Sequence, residues 1–331
     1  MTSHRAARGL GLHAEPLPRL LSAADAAAER PTSRGGALLA VDVGGTLVRA
    51  ALADSTGTIV AERTEPTDGD RTDPLLHQLQ HLLATLRTDA GLAAEDVRSG
   101  AVGCPAVLHP ATGAAQLSPN VPGMVGDNLV SVLEETLGLT VNIENDVNLA
   151  AAGERWRGAA GCDDFVFLNL GTGIGAGLVL GGDVYRGGGG AGELAHLPFG
   201  RNGLTAPQVA AAFEDSVSPL AMVRRWRALA GDAASADSRA LLRAAVDGDR
   251  VARHVLDEQA ELLAAGVAAL TAVLDPPLVV VGGGLGSDPA LVAALRERLD
   301  EAVRPVRIVP TALCGRAGLL GALLLALGSD R

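Results

Sequence analysis

Short apolar runs that end at glycine alternate with longer segments of helical periodicity along most of the chain. Leu38 to Val43 reads as a buried strand that turns at Gly44-Gly45-Thr46 and returns over Val48 to Ala53. A second strand and turn, Phe165 to Leu170 and Gly171 to Gly175, repeat this pattern. Further strands are predicted at Ile59 to Arg63, Ser99 to Val102, Val141 to Ile143, Gly177 to Leu180, Val184 to Arg186 and Leu278 to Val281.

Apolar residues at intervals of three and four predict helices between these strands. The predicted helices are Pro74 to Leu86, Leu129 to Leu137, Leu149 to Arg157, Arg239 to Asp247, Ala252 to Leu274, Ala290 to Val303 and Gly315 to Leu327. Pro105 to Gly126 is instead rich in Pro, Gly and Asn, and loops of this length inside a compact domain are usually functional or disordered. The alternation of strands with helices predicts an α/β protein built as two halves.

Charge and residue usage exclude several classes of function. All 27 basic residues are arginine, so a Walker-type phosphate loop, the protein-kinase strand lysine and Schiff-base catalysis are excluded. The net charge of −11 disfavours a nucleic-acid surface, and no apolar run is long enough to cross a bilayer. Three widely spaced cysteines indicate neither a disulfide framework nor a metal site. We expect a cytoplasmic protein that binds small molecules and neither nucleic acid nor membrane.

Three glycine-rich turns follow apolar strands and are candidates for binding a phosphorylated ligand. At Gly44-Gly45-Thr46 bare backbone N–H groups can approach an anion, and Asp42 could orient a hydrated Mg²⁺; the alternative is an ordinary hairpin turn with an Asp cap. The turn Gly171-Thr172-Gly173 is followed by a strand, whereas a dinucleotide fingerprint requires a helix there. Gly282 to Gly284 lies between a strand and a helix, where a base or ribose fits.

Together with other short motifs, these turns carry a resemblance to a known family. The motifs are Asp42 to Arg49, Gly103-Cys104-Pro105, Pro119 to Gly123, Glu144 to Asn148, Gly171 to Gly175, Glu193 to His196 and Gly282 to Gly284. In order and spacing they resemble the ROK family of bacterial sugar kinases and sugar-responsive repressors, over about residues 37 to 328. The resemblance implies two actin-like (ribonuclease H-like) α/β domains of the actin/hexokinase superfamily, with an interdomain cleft between them.

The domain boundaries expected from this fold use both ends of the chain. We predict a flexible N-terminal extension over residues 1–36, with one short helix at Leu17 to Ala28. A smaller domain comprises residues 37–148 and 315–331, and a larger domain comprises residues 149–314. The extension is too short for the winged helix-turn-helix of a repressor, which favours an enzyme.

The resemblance also implies roles for single residues. Asp146 is the implied general base, and the sugar is held by Asn145, Glu193, His196, Glu214 and Asn120. ATP, with its Mg²⁺, contacts Asp42, Gly44, Gly45, Thr46, Arg49, Gly171, Thr172, Gly173, Gly283 and Gly284. Residue chemistry leaves two alternatives open: Asn145-Asp146 also suits a helix N-cap, and Asn120 also suits a turn.

The chain departs from the family pattern after His196. Most members carry a cysteine-rich zinc motif there, whereas residues 200–214 contain no cysteine, so no structural zinc is expected. Without a metal, His196 lacks the partner that would orient its ring. We expect packing by Leu204, Val209 and Phe213 to replace the metal.

The function implied by the resemblance is ATP-dependent phosphorylation of the primary hydroxyl of a hexose or hexose-like substrate, with a glucokinase-type activity as the default. The alternatives are a kinase for an amino sugar or cyclitol, a polyphosphate-dependent glucokinase, a sugar-sensing regulator without a DNA-binding domain, and a catalytically inactive binding protein. Retention of Asp146, Asn145 and Glu193 argues against the last. Members of the family commonly assemble, so a homodimer or homotetramer is expected.

Overall fold

The computed structural model describes residues 36–68, 72–109, 111–116, 121, 126, 128–204, 212–231, 237–300 and 305–329. The predicted N-terminal extension, with its helix at Leu17 to Ala28, lies outside the described residues, apart from Gly36. In the part of the chain that is described, no helix combines the length and the apolar character needed to cross a bilayer.

The first half of the chain builds a five-stranded sheet. Its strands, with a small hairpin between the fourth and fifth, are β1 (Ala37–Val43), β2 (Leu47–Ala53), β3 (Ile59–Pro66), β4 (Val97–Cys104), β5 (Val107–Leu108), β6 (Ala115–Gln116) and β7 (Thr140–Asn145). The sheet order is β3-β2-β1-β4-β7, and β5 and β6 pair only with each other. β1 is antiparallel to β2 and parallel to β4, which in turn is parallel to β7.

The second half repeats this arrangement. Its strands are β8 (Phe165–Leu170), β9 (Ile174–Leu180), β10 (Asp183–Val184), β11 (Phe199–Gly200), β12 (Gly203–Leu204), β13 (Leu278–Gly282) and β14 (Arg307–Pro310). The order β10-β9-β8-β13-β14 again places an antiparallel meander beside two parallel strands. The repeat predicted from the two hairpins is therefore confirmed, and it extends to the whole of each sheet.

Helices cover both sheets and fill the space between them. They are α1 (Thr72–Ala90), α2 (Leu129–Leu137), α3 (Asp146–Arg157), α4 (Glu214–Val217), α5 (Pro219–Ala230), α6 (Ser238–Val246), α7 (Arg250–Leu274), α8 (Gly283–Gly286), α9 (Pro289–Asp300) and α10 (Ala317–Ser329). Leucines of α1 and α2 bury against the outer face of the first sheet. Helices α5, α6, α7 and α9 contribute to the core on the outer face of the second sheet.

The inner faces of the two sheets share one core, which contains α3 and α10. Alternate residues of β1 point to opposite faces, so Leu38 and Ala40 belong to this shared core while Leu39 and Val41 belong to the outer one. A Cβ added to Gly321 would overlap the Leu149 carbonyl oxygen, and one added to Gly153 would overlap the carbonyl oxygen of the α10 residue Ala317. Glycine at both positions lets the two helix backbones touch, which brings the halves close together.

Besides several elements of two to four residues, the structure differs from the prediction in three places. The turn predicted at Gly282 to Gly284 is the start of the short helix α8. Strand β14 was not predicted because it is four residues long, ends at Pro310 and buries only Ile308. Helix α5 was not predicted either, although Ser218 caps it and Pro219 occupies its first position, a recognisable start signal.

Candidate active site

Asp146 is the first residue of α3, directly after β7. The predicted polar junction between a strand and a helix therefore lies at the carboxyl end of a parallel strand, where α/β proteins bind ligands. Asn145 is the N-cap: its Oδ1 accepts hydrogen bonds from the backbone N–H groups of Val147 (2.9 Å) and Asn148 (3.0 Å). Its Nδ2 donates to the Ala106 carbonyl at 3.2 Å. In the described structure one Nδ2 hydrogen remains for a ligand.

Two buried carboxyl groups, Asp146 and Asp42, have raised pKa values. Burial above all, then the charge of Asp42 and to a smaller degree that of Glu193, raise the pKa of Asp146 to about 7, while the Val147 N–H opposes the rise. Burial likewise raises the pKa of Asp42 to about 6, against the charge of Arg49, its cross-strand neighbour in β2. Burial and a neighbouring like charge increase the affinity of a carboxylate for a proton, which suits a group that must accept one near neutral pH.

The predicted sugar-binding residues of the second half form a second acidic group. Glu193 precedes a 3₁₀ turn formed by Leu194–His196. Burial raises the pKa of Glu193, the neighbouring His196 lowers it, and Glu214 raises it. Glu214 begins α4, and its Oε2 accepts a hydrogen bond from the Ile174 N–H at 2.8 Å. Since Glu193 acts on Asp146, the structure brings these side chains to the same region as the start of α3.

The three glycine-rich turns also come together. Thr46 Oγ1 and Thr172 Oγ1 are 2.8 Å apart, which joins the first turn to the second across the two halves. A Cβ on Gly283 would lie 2.5 Å from the Leu170 carbonyl carbon and 2.6 Å from Asn169 Oδ1, so the third turn presses against the end of β8. Gly284 faces open space. The predicted nucleotide-binding residues Gly44, Gly45, Thr46, Gly171, Thr172, Gly173, Gly283 and Gly284 thus lie on three connected turns.

The prediction that apolar packing replaces a zinc site is wrong for one of its three residues. Leu204 is 88% exposed, whereas Phe213 is buried and meets the Phe199 ring edge-on at 5.3 Å. Val209 and the predicted sugar-loop residue Asn120 lie outside the described residues. His196 is exposed. Within the described ranges no group of three or more His, Cys, Asp or Glu side chains could hold a metal ion.

Three polar residues at this site were given no role by the sequence. Glu144 is 2% exposed and forms an ion pair with Arg186, Oε2 to Nε 2.5 Å. Asn169 is the last residue but one of β8 and lies between two of the glycine turns, at the position that Asp42 holds in β1. Glu144 belongs to the motif Glu144 to Asn148, in which only Asn145 and Asp146 were given roles. The pairing of Arg186 with it joins distant parts of the chain, so no local signal could have found it.

Comparison with known proteins places these features in context. A model of the ROK family matches residues 38–329. The chain is 30% identical over 308 residues to a glucokinase of Thermotoga maritima, covering 86% of this chain and 95% of the relative. It is 32% identical over 295 residues to an N-acetylmannosamine kinase of Salmonella typhi, covering 88% of this chain and 98% of that relative.

A solved structure shares the architecture. A ROK family glucokinase from Streptomyces griseus, in complex with glucose and AMPPNP, superposes with a TM-score of 0.74 at 28% identity, covering 88% of this chain and 99% of that one. The fold class predicted from the motifs, two actin-like α/β halves of the hexokinase type, is thereby confirmed.

Proposed function

Since the chain belongs to the ROK family, we propose that it is a sugar kinase that transfers the γ-phosphoryl group of ATP to a hydroxyl of a hexose. The observation that carries this proposal is the carboxyl group of Asp146, which starts α3 and has a pKa raised to about 7. It lies in the electrostatic field of Asp42 on the nucleotide side and Glu193 on the sugar side. A carboxylate whose pKa is raised to near neutral pH binds a proton more strongly than an ordinary carboxylate, as suits a general base, and it is still ionised at or above that pH.

In the proposed reaction, the sugar hydroxyl oxygen attacks the γ-phosphorus and its proton passes to the Asp146 carboxylate. The bond between the γ-phosphorus and the bridging oxygen of ATP breaks, and ADP leaves. Phosphoryl transfer depends on positioning and on stabilisation of the phosphate oxygens more than on a strong base, so a carboxylate is sufficient. Asp146 must be ionised to act, which requires a pH near or above its raised pKa.

The sugar is proposed to be held mainly from the second half. Glu193 and Glu214 supply acceptors for hydroxyl groups, and the exposed His196 supplies either a donor or an acceptor. Glu214 has one oxygen engaged by the Ile174 N–H, so the other is the one for a ligand. Asn145 offers its second Nδ2 hydrogen, and Asn120 stays a prediction.

The phosphates of ATP are proposed to lie across the connected glycine turns, where backbone N–H groups and the hydroxyls of Thr46 and Thr172 donate. The chain has no lysine, and Arg49 is the cation whose charge lowers the pKa of Asp42 from the neighbouring strand. A magnesium ion that arrives with ATP takes most ligands from phosphate and water. The Asp42 carboxyl fits such an ion, because burial raises its pKa and disfavours its ionisation unless a cation is close.

The substrate is proposed to be glucose, with N-acetylmannosamine as the second candidate, because relatives named for each are about equally similar. The donor is proposed to be ATP, with polyphosphate retained as the alternative. Three properties stay predictions: the domain boundary between residues 148 and 149, a cytoplasmic location, and assembly into a homodimer or homotetramer.

One experiment tests both the activity and its substrate. The purified chain is incubated with Mg²⁺ and either ATP or polyphosphate, and with glucose, mannose, fructose, N-acetylmannosamine, glucosamine or a cyclitol. We expect a sugar phosphate with ATP and glucose, identified by mass and by NMR. Sugar binding without turnover by any donor would favour the sugar-sensing regulator and contradict the proposal.

A further inference from the structure

The reaction proposed above leaves one buried carboxylate without a role. Glu144 lies in β7 two residues before Asp146, and its side chain is 2% exposed. Its Oε1 accepts hydrogen bonds from the Asn145 N–H at 2.8 Å and from Asn148 Nδ2 at 3.0 Å. Glu144 therefore braces the first turn of α3, the turn that presents the proposed base.

The second oxygen of this carboxylate reaches the other half of the molecule. Glu144 Oε2 accepts from Arg186 Nε at 2.5 Å, and the arginine side chain is 18% exposed. Arg186 follows β10, where the Tyr185 N–H still donates to the Leu178 carbonyl at 2.8 Å. Either partner of this buried pair would be an uncompensated buried charge without the other, so the pair holds the two side chains together.

Arg186 begins the loop that carries the proposed sugar ligands. Its carbonyl oxygen accepts from the N–H groups of Gly189 (2.8 Å) and Ala191 (3.3 Å). Four successive glycines, residues 187–190, give the loop few side chains with which to pack. At its far end the Ala176 N–H donates to the Gly192 carbonyl at 2.8 Å, which ties that end to β9. The side chain of Arg186 ties the near end to the start of α3.

We propose that Arg186 is a positioning residue which, through its ion pair with Glu144, sets the distance between Asp146 and the loop that bears Glu193 and His196. This inference rests on the proposed function, since it assigns Arg186 to the sugar side of the same site. Arg186 acts through Glu144 and the loop and needs no contact with the sugar. Releasing it frees the near end of the loop while the nucleotide turns keep their places.

Hydrogen exchange tests the anchor without any substrate. In the Arg186→Met variant, amides of residues 187–196 should exchange at least about tenfold faster than in the unmodified chain, and those of α1 should not change. Arg155→Met is the matched control, because Arg155 is 17% exposed and pairs with Asp163 at 2.5 Å, while its guanidinium lies beside Gly182, at the opposite end of β10 from the loop. Unchanged exchange in residues 187–196, or acceleration spread evenly over the chain, would overturn the proposal.

Kinetics separate positioning from a loss of stability. With glucose, or N-acetylmannosamine if that is the sugar phosphorylated, Arg186→Met should raise the sugar KM about tenfold or more and leave the ATP KM within about twofold. A purely structural residue would lower the yield of folded enzyme and leave both KM values unchanged. The double variant Glu144→Gln with Arg186→Met avoids a buried unpaired carboxylate, so it folds and keeps the raised sugar KM.

The two levels of the proposal fail in different ways. If the unmodified chain phosphorylates no sugar, the proposed function is wrong, and the exchange measurement alone decides whether Arg186 anchors the loop. If the unmodified chain is active and Arg186→Met raises both KM values equally, or neither, the positioning role is wrong and the kinase proposal stands.

Discussion

The two halves of the molecule share a fold but differ in charge. Each sheet consists of an antiparallel meander followed by two parallel strands. At the end of the first strand, the first half has Asp42 where the second half has Asn169. After the last strand of each sheet a helix enters the shared core, and α3 begins with Asp146 whereas α10 begins with Ala317.

This difference shows how a repeated fold comes to have one chemical centre. Strand order and the inward helices depend on apolar patterning, which both halves have. Titration depends on carboxyl groups brought close together in a desolvated place, and Asp42 and Asp146 meet only in the first half. The neutral amide of Asn169 cannot take part. In the proposed reaction the first half thus supplies the proton acceptor, and the second binds through backbone, hydroxyl and loop side chains.

The largest effect is expected from removing the carboxylate of Asp146. Asp146→Asn should lower kcat by about 10³-fold or more, because the amide cannot accept the hydroxyl proton, and should leave sugar affinity within about threefold. Steady-state rates and calorimetric titration with the sugar measure the two quantities. Asp163→Asn, a change on the exposed surface, serves as the control. A residual kcat within tenfold of the unmodified chain would remove Asp146 as the base.

The next largest effect concerns the contact between the halves. Gly321→Ala places a methyl group against the Leu149 carbonyl oxygen at the crossing of α3 and α10. Overpacking of backbone against backbone should cost about 2–4 kcal/mol of unfolding free energy, measured by urea denaturation. Gly161→Ala meets no atom within 4 Å and should change stability by less than about 0.5 kcal/mol. Equal stabilities would mean that the helices do not touch at this point.

The pH dependence of kcat tests the coupling within the first half. Activity requires ionised Asp146, so kcat should fall as the pH drops through about 7. The negative charge of Asp42 raises the pKa of Asp146, and Asp42→Asn should therefore move this acid limb to lower pH, whatever its effect on the maximal rate. Asp89→Asn, at a surface ion pair with Arg63, should leave the limb in place. A shift to higher pH would contradict the coupling.

The smallest effect is expected at the contact between the glycine turns. Thr46 and Thr172 are equivalent partners in one hydrogen bond. Thr46→Val and Thr172→Val should each raise the ATP KM by about 2–10-fold, the worth of one neutral hydrogen bond. Binding of a fluorescent ATP analogue checks the same loss at equilibrium. Markedly unequal changes would show that one half dominates the nucleotide contact.

Much of the site could be predicted from the sequence because its parts are local. The glycine turns follow apolar strands, and Asp146 lies at a junction between a strand and a helix. The packing of individual side chains was harder to predict from the sequence. Leu204 is apolar but belongs to the two-residue strand β12, which pairs only with the equally short β11 in the described structure, and its side chain is exposed. Phe213 is buried because it lies beside Gly266 of α7, a contact that no local pattern encodes.

The sequence by itself determined the pattern of strands and helices, the repeated hairpins and the family motifs, because each of these is set by residues close together in the chain. Its composition alone also showed that no lysine can bind phosphate. Only the tertiary structure decided which charges meet. Asp42 reaches Asp146 because β1 and β7 flank β4 in one sheet, and Glu144 reaches Arg186 because α3 and α10 bring the two halves together through glycine contacts. The pKa of a carboxyl depends on its burial and on charges a few ångströms away, and both are properties of packing between segments that lie far apart in the chain.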